Sequence, residues 1–377
     1  MTRVLITGGA GFIGSNLALQ FFSVGCEVTV LDNLLPQVHS AAPESSPLYQ
    51  SIRDKVAFVR GSVGDPGILS RILPSQDLLV HLAAETGTGQ SMYEIDRYVT
   101  TNVGGTGLLL DLLGRTKHSI KRVVVASSRA IYGEGKYLRA DGTAVYPSHR
   151  RVADLEAGRF EIFDQVDGEK LEATATDEDS RLHSSSVYGI TKQTQEQLVM
   201  TVCPTLGIEP VALRYQNVYG PGQSLSNPYT GILSIFSNLI MNGKAINIFE
   251  DGRESRDFVF IDDVVRATML AATHPRAANQ VFNVGSGLPT PVSTVADSLM
   301  KAFGTEVPAK ITGAFRLGDI RHNIADLTRI RNLLGYAPRV SFDEGIRRFV
   351  EWARSIGPTD SAYQESIDEM KARGLLK

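Results

Sequence analysis

The sequence predicts an α/β fold built on a doubly wound parallel sheet, followed by a smaller α/β region. Three observations carry this. Short β-branched apolar runs alternate with stretches of helical periodicity, a glycine turn joins the first run to the first helix, and the second run ends on an acidic residue. The runs at residues 4–7, 28–31, 56–60, 78–82 and 123–126 have the length and composition of strands buried on both faces. Between them, 15–24, 66–73 and 98–113 carry apolar residues at helical spacing. From 134 to about 180 the pattern breaks into glycines and charges. A plain loop of that length is unusual in a compact domain, so 134–182 is read as a surface insertion, a lid or a small substructure. Regularity returns at Tyr188 and continues through a strand at 211–215. The expected division is a first domain of 1–214 and 255–284 and a second of 215–254 and 285–377.

Gly8-Gly9-Ala10-Gly11-Phe12-Ile13-Gly14 follows the first run and opens the first helix, so the glycines fall where a tight turn and close approach of backbone to a pyrophosphate are required. Asp32 ends the second run, 18 positions after Gly14. Such a carboxylate can be a loop cap, but at this spacing it can accept both hydroxyls of a ribose and repel a 2′-phosphate, which favours NAD over NADP. The architecture is Rossmann-like.

Tyr188-Gly189-Ile190-Thr191-Lys192 sets a phenol and an ammonium four residues apart, on one face if the segment is helical. A free tyrosine has a pKa of about 10, so a phenolate near neutrality needs a shift of roughly three units, about 4 kcal/mol. Lys192 and a positively charged nicotinamide could supply it together. Tyr132 and Lys136 share the spacing but enclose Gly133 and Gly135, which disfavour a helix. Ser127 and Ser128 close the run at 123–126, at the carboxyl edge where doubly wound sheets bind ligands. A serine pair there can cap a strand; beside a glycine turn and a Tyr/Lys helix it can hold a reacting oxygen.

Bulk properties exclude more than they assign. In 377 residues, 42% hydrophobic and 21% charged composition rules out a disordered or collagen-like chain. A formal charge of −3 gives no general attraction to nucleic acid or anionic lipid. Cys26 and Cys203 are too few for a disulfide framework or a cysteine zinc site, and no run has the character of an export signal or an anchor, so a cytoplasmic protein without a metal is expected.

Further motifs extend these features: His81-Leu82-Ala83-Ala84, Ser127-Ser128-Arg129-Ala130-Ile131-Tyr132-Gly133, Leu213-Arg214-Tyr215-Gln216-Asn217-Val218-Tyr219-Gly220-Pro221, Arg256-Asp257-Phe258-Val259 and Arg316-Leu317-Gly318-Asp319. Over nearly the whole chain these resemble the extended short-chain dehydrogenase/reductase family, in its nucleotide-sugar epimerase/dehydratase group. The segments 87–93 and 225–231 are similar to those of 4-epimerases of the dTDP-L-rhamnose type, and the chain as a whole also resembles the UDP-glucose 4-epimerase type. The resemblance implies Ser128, Tyr188 and Lys192 as the catalytic set. It implies a cofactor site from Gly8, Gly11, Phe12, Ile13, Gly14, Asp32, Asn33, Ser62, Val63, Leu82, Ala83, Ala84 and Asn102, joined by Tyr188 and Lys192. Asn217, Arg256 and Arg316 are expected on the nucleoside diphosphate, with Ser128 on the sugar, because phosphates call for planar, permanently charged donors.

The departures are informative. Dehydratases of this family carry Asp-Glu after the catalytic hydroxyl; here Arg129 and Ala130 stand there, so the acid/base pair for elimination is missing. Cysteines that suggest a metal ribbon in the insertion of related enzymes are absent. Gln216 replaces the usual Phe in what would be the sugar pocket, and Ser62 stands where an Asp commonly meets the adenine. The expectation is NAD-dependent 4-epimerisation of a nucleoside-diphosphate hexose, a deoxyhexose by preference, in a homodimer built on the helices that hold Asn102 and Tyr188. An NAD(P)H-dependent 4-keto reductase uses the same serine, tyrosine and lysine, and a non-catalytic NAD-binding regulator could keep the pocket; both readings stay open.

Overall fold

The computed structural model describes residues 1–229, 231–360 and 362–377; Thr230, inside the segment 225–231, lies outside the described residues. Seven parallel strands form the central sheet, in the spatial order Gln280–Val284, Glu209–Tyr215, Arg122–Ser128, Leu78–His81, Arg3–Thr7, Glu27–Asp32, Ala57–Arg60. The winding reverses between Arg3–Thr7 and Leu78–His81, which opens a crevice above their carboxyl ends.

Both faces of the sheet are covered, as the unbroken apolar runs require. Along the first strand Val4 and Ile6 turn to one face and Leu5 to the other. The first face packs Leu17, Ala18 and Phe21 of helix Phe12–Ser23 with Val264, Ala267 and Ala271 of helix Ile261–Thr273. The second packs Leu69 and Leu109 with Val199 and Cys203 of helix Val187–Thr205. The six expected strands are present with ends moved by one or two residues. The seventh, Gln280–Val284, has no matching run in the sequence reading because Asn283 interrupts its apolar character; that side chain is fully buried and donates to the carbonyls of Thr176 at 2.9 Å and Asp326 at 3.2 Å. The expected helix at 98–113 is observed as Ile95–Tyr98, a π-helical stretch Val99–Gly104 and Gly105–Arg115.

The region 134–182 is a small folded unit rather than a loose surface segment. Tyr137–Leu138, Ala144–Val145 and Glu172–Ala173 form a three-stranded antiparallel sheet over a core of Tyr137, Ile162 and Leu171. Two guanidiniums bolt it to the C-terminal part of the chain. The fully buried Arg321 meets Glu161 of the insertion together with Glu250 at 3.0 Å and Asp251 at 2.7 Å. Arg150 of the insertion reaches Glu250 at 2.8 Å and the carbonyl of Asp319 at 2.9 Å. Removing Arg321 takes the shared cation from Glu161 and Asp251 and leaves Glu250 to Arg150 alone. Arg321→Met should therefore lower stability by about 3–5 kcal/mol in urea unfolding and open 134–182 to limited proteolysis; an unchanged midpoint and cleavage pattern would refute this role.

Candidate active site

The crevice continues into a cavity of about 680 Å³. Its floor is the glycine turn. Gly8 has φ +69°, and a Cβ on it would lie 2.7 Å from the backbone nitrogen of Ala83. A Cβ on Gly14 would lie 2.3 Å from the carbonyl oxygen of Gly8, so no side chain fits there. Gly11 leads the helix Phe12–Ser23 with no side-chain cap, leaving its first N–H groups for a ligand. Asp32 lines the same cavity, and its carboxylate accepts from the backbone N–H of Ala10 at 3.0 Å and of Leu34 at 2.8 Å, which ties the second strand to the turn. Asn33, Ser62 and Val63 line this end, while Leu82, Ala83 and Ala84 form the wall above Gly8. This cradle of close-packed glycines, open helix N–H groups and an acidic rim fits a dinucleotide.

Asn102, expected on the cofactor, is not among the residues that line the cavity. Fully buried, it accepts from the backbone N–H of Glu85 at 2.7 Å and donates to the Thr191 hydroxyl at 3.0 Å. It joins the wall at Glu85 to the helix that carries Tyr188.

Local chemistry sets that helix. Ser186 caps it by accepting from the Gly189 N–H at 3.1 Å, and the Tyr188 N–H donates to the Ser91 hydroxyl at 3.0 Å. A Cβ on Gly189 would lie 2.6 Å from the carbonyl oxygen of Ala130, so glycine lets the helix pack onto the turn after Ser128. Ser128, Tyr188 and Lys192 all line the cavity. Burial pushes the Tyr188 phenol above its ordinary range, and the Ser128 hydroxyl and Arg129 guanidinium act the other way. Burial pulls Lys192 down to about 7, opposed by Glu196. Its ammonium donates to Gln195 at 2.7 Å, and Gln195 donates in turn to the Thr106 hydroxyl at 2.8 Å. Tyr132 and Lys136, the other pair at this spacing, are structural: the Tyr132 hydroxyl donates to Asn283 at 2.8 Å and Lys136 pairs with Asp177 at 2.9 Å.

Asn217, Arg256 and Arg316, the residues expected on the diphosphate, lie outside that cavity lining, and the two arginines gather around Asp319. Burial opposes its ionisation, but Arg256, Arg316, Arg129 and Arg150 hold Asp319 well below the usual carboxylate range. Arg256 is already committed. One terminal nitrogen donates to the carbonyls of Ser255 and Arg321, the other to Asp319 at 2.8 Å and the carbonyl of Ile320, leaving Nε as its remaining donor. These bonds brace the loop 319–321. Arg316 stacks on Phe249 at 4.9 Å, and its Nε is buried without a partner, as is Oδ1 of Asn217. The sequence reading passed over Arg150, which sits in a stretch that reads as solvated surface, and Gln195, whose neighbours come from distant segments.

Gly14→Ala should weaken NAD binding roughly ten- to hundredfold in a calorimetric titration, the usual 1–3 kcal/mol of overpacking; an unchanged affinity would show that the turn does not form the binding surface.

Among the described residues, no helix is long and apolar enough to cross a membrane, and no group of three or more His, Cys, Asp and Glu could hold a metal ion. The NAD dependent epimerase/dehydratase family model matches residues 4–152 and 161–285, skipping only 153–160 in between, inside the insertion. A dTDP-L-rhamnose 4-epimerase of Burkholderia thailandensis is 38% identical over 350 residues, covering 93% of this chain and 94% of that protein. UDP-glucose 4-epimerase of Thermotoga maritima, solved with UDP-glucose, is similar in structure with a TM-score of 0.75 at 30% identity, covering 94% of this chain and 99% of that one. MoeE5 in complex with UDP-glucuronic acid and NAD gives a TM-score of 0.74 at 27% identity, with coverage of 94% and 99%. Matched on both sides of its insertion, and related along almost its full length to nucleotide-sugar epimerases, the chain belongs to the NAD-dependent epimerase/dehydratase family.

Proposed function

We propose that this protein is an NAD-dependent 4-epimerase of a nucleoside-diphosphate hexose, with a deoxyhexose such as that of dTDP-L-rhamnose as the favoured sugar. The observation that carries the reading is the single cavity shared by the glycine turn and by Ser128, Tyr188 and Lys192. When bound, NAD supplies a reversible acceptor for the hydrogen on C4. Tyr188 takes the C4 hydroxyl proton and later returns it, and Ser128 hydrogen-bonds the oxygen as it becomes a ketone. Lys192 holds the nicotinamide ribose and favours the phenolate. Arg316 and Asn217, with buried polar atoms lacking partners, anchor the diphosphate while the 4-keto sugar turns to present its other face. Gly8, Gly11, Phe12, Ile13 and Gly14 hold the pyrophosphate and Asp32 the adenine ribose.

Arg129 and Ala130 support epimerisation over dehydration, since neither can shuttle the protons that elimination needs. Arg129 has no hydrogen bond or ion pair among the described residues, and burial beside Arg256 brings it down to about 10. Its charge favours the Tyr188 phenolate.

The assembly we propose is a cytoplasmic homodimer. Free Cys26 and Cys203 suit a reducing compartment. Ile95, Val99 and Ile190 are 52%, 43% and 55% exposed on the helices around Asn102 and Tyr188, the apolar surface that a partner would cover. Light scattering at working concentration should return twice the chain mass; a monomer would reject the dimer.

The function is tested by NMR of products from UDP- and dTDP-hexoses, including dTDP-L-rhamnose, incubated without added reductant. The expected result is a C4 epimer, with Tyr188→Phe slower by roughly 10²–10⁴-fold. No conversion, with NADH consumed once 4-keto sugars are supplied, would make the protein a reductase. Binding without conversion in either assay would make it a regulator.

A further inference from the structure

Gln216 is the first residue after strand Glu209–Tyr215, at the carboxyl edge of the sheet. Its N–H donates to the carbonyl of Val284 at 2.9 Å, and its side chain is wedged against Gly285, where a Cβ would lie 2.8 Å from Cγ. Gln216 is one of the residues that line the cavity, together with Ser128 and Tyr188. Gln216 is 5% exposed, and both its amide nitrogen and its amide oxygen are buried without a hydrogen-bond partner. An apolar residue of the same length would fill this space without stranding two donors and an acceptor. The amide is therefore costly to the empty protein and useful only toward something that enters the cavity. A neutral planar group that both gives and accepts suits a hydroxyl. A phosphate would call for the cations already gathered around Asp319. The neighbouring Asn217, with its own unpartnered Oδ1, faces the diphosphate in the proposed reading, which sets Gln216 on the sugar side.

We propose that Gln216 is a specificity-determining residue that grips a ring hydroxyl of the hexose other than the C4 hydroxyl, donating to and accepting from it while Ser128 and Tyr188 act at C4. This rests on the nucleotide-sugar reading. It makes the substrate class narrower: the sugar must carry a free hydroxyl next to the reacting carbon or one position further, whatever its substituent at C6. A pocket built to pair with a hydroxyl rejects an analogue that lacks it far more strongly than an apolar pocket rejects one that carries it.

The test compares wild type with Gln216→Met, which keeps length and loses both polar atoms. Thermal unfolding, NAD titration, and turnover of dTDP-L-rhamnose, UDP-glucose and their 2-deoxy and 3-deoxy analogues are measured. Gln216→Met should melt at the same or a higher temperature and bind NAD as wild type does. Its kcat/KM on the natural sugar should fall ten- to hundredfold, and the wild-type preference over one deoxy analogue should disappear. That split separates ligand recognition from structural support, which would lower the melting temperature. A loss of NAD affinity with sugar preference intact would assign Gln216 to the nicotinamide carboxamide and overturn the proposal. Wild-type turnover matched by the variant on every sugar would overturn it while leaving the epimerase reading in place. If wild type neither binds nor converts any of these nucleotides, both fall together.

Discussion

A buried chain of hydrogen bonds beneath the crevice holds the two halves of the site in register. It begins at Thr7, the last residue before the glycine turn, whose hydroxyl lies 2.7 Å from Nδ1 of His81. Nε2 of His81 lies 3.0 Å from the Thr106 hydroxyl, which also receives Gln195, the acceptor for Lys192. Burial and the charge of Lys192 pull His81 down to about 3, so the ring stays neutral and each of its nitrogens has one fixed role. Two strands and two helices thus meet through groups that cannot be left unpaired at this depth. A shift of the Lys192 helix would break bonds back to the glycine turn, so the place for the pyrophosphate and the place for the base are set by one network.

The second organising feature is electrostatic. Around Asp319 the chain gathers guanidiniums from four separate segments, the strand end at Arg129, the insertion at Arg150, and Arg256 and Arg316 from the C-terminal half. Most of that charge is already answered inside the protein: Arg256 by Asp319 and three carbonyls, Arg150 by Glu250 and by Glu134 at 3.3 Å. Spare donors remain on each: Arg129 makes no hydrogen bond or ion pair among the described residues, Nε of Arg316 and Nε and one terminal nitrogen of Arg150 are buried without a hydrogen-bond partner, and Arg256 keeps Nε. The insertion belongs to this machinery, since the same Glu250 binds Arg150 of the insertion and Arg321 of the C-terminal half. The surroundings of Asp319 are therefore fixed by buried ion pairs whose geometry a charge-neutral change at any one member would disturb.

How far the sequence could be read follows from the kind of constraint at each place. Gly8 and Gly14 were legible because collisions at 2.3–2.7 Å permit only one residue type at a set spacing. Tyr188 and Lys192 were legible because a helix turns the four-residue interval into a shared face. The bonds of Asn102 to Glu85 and Thr191 were not legible, because a polar residue in a helix reveals nothing of which neighbour it serves. The insertion was legible as a lid or small substructure but its anchoring was not, because Arg150 and Glu161 find their partners 100 and 160 residues away, at Glu250 and Arg321. That the two terminal nitrogens of Arg256 go to Asp319 and to the carbonyls of Ser255, Ile320 and Arg321 is likewise a fact no one-dimensional pattern contains.

The protonation state of the site follows from these same placements. Burial keeps Tyr188 a phenol, and what the chain offers against it is limited: a hydroxyl from Ser128 and one unpaired guanidinium from Arg129. Lys192, the other candidate, is pulled down to about 7 by the same burial, so near neutrality it is divided between charged and neutral forms. A further positive charge beside the phenol would tip the balance toward phenolate, and the oxidised nicotinamide carries one. Base strength at Tyr188 is thereby coupled to occupancy of the glycine turn. Without that charge burial favours the protonated phenol, so in the proposed reading Tyr188 would gain its proton-accepting form only with the dinucleotide in place.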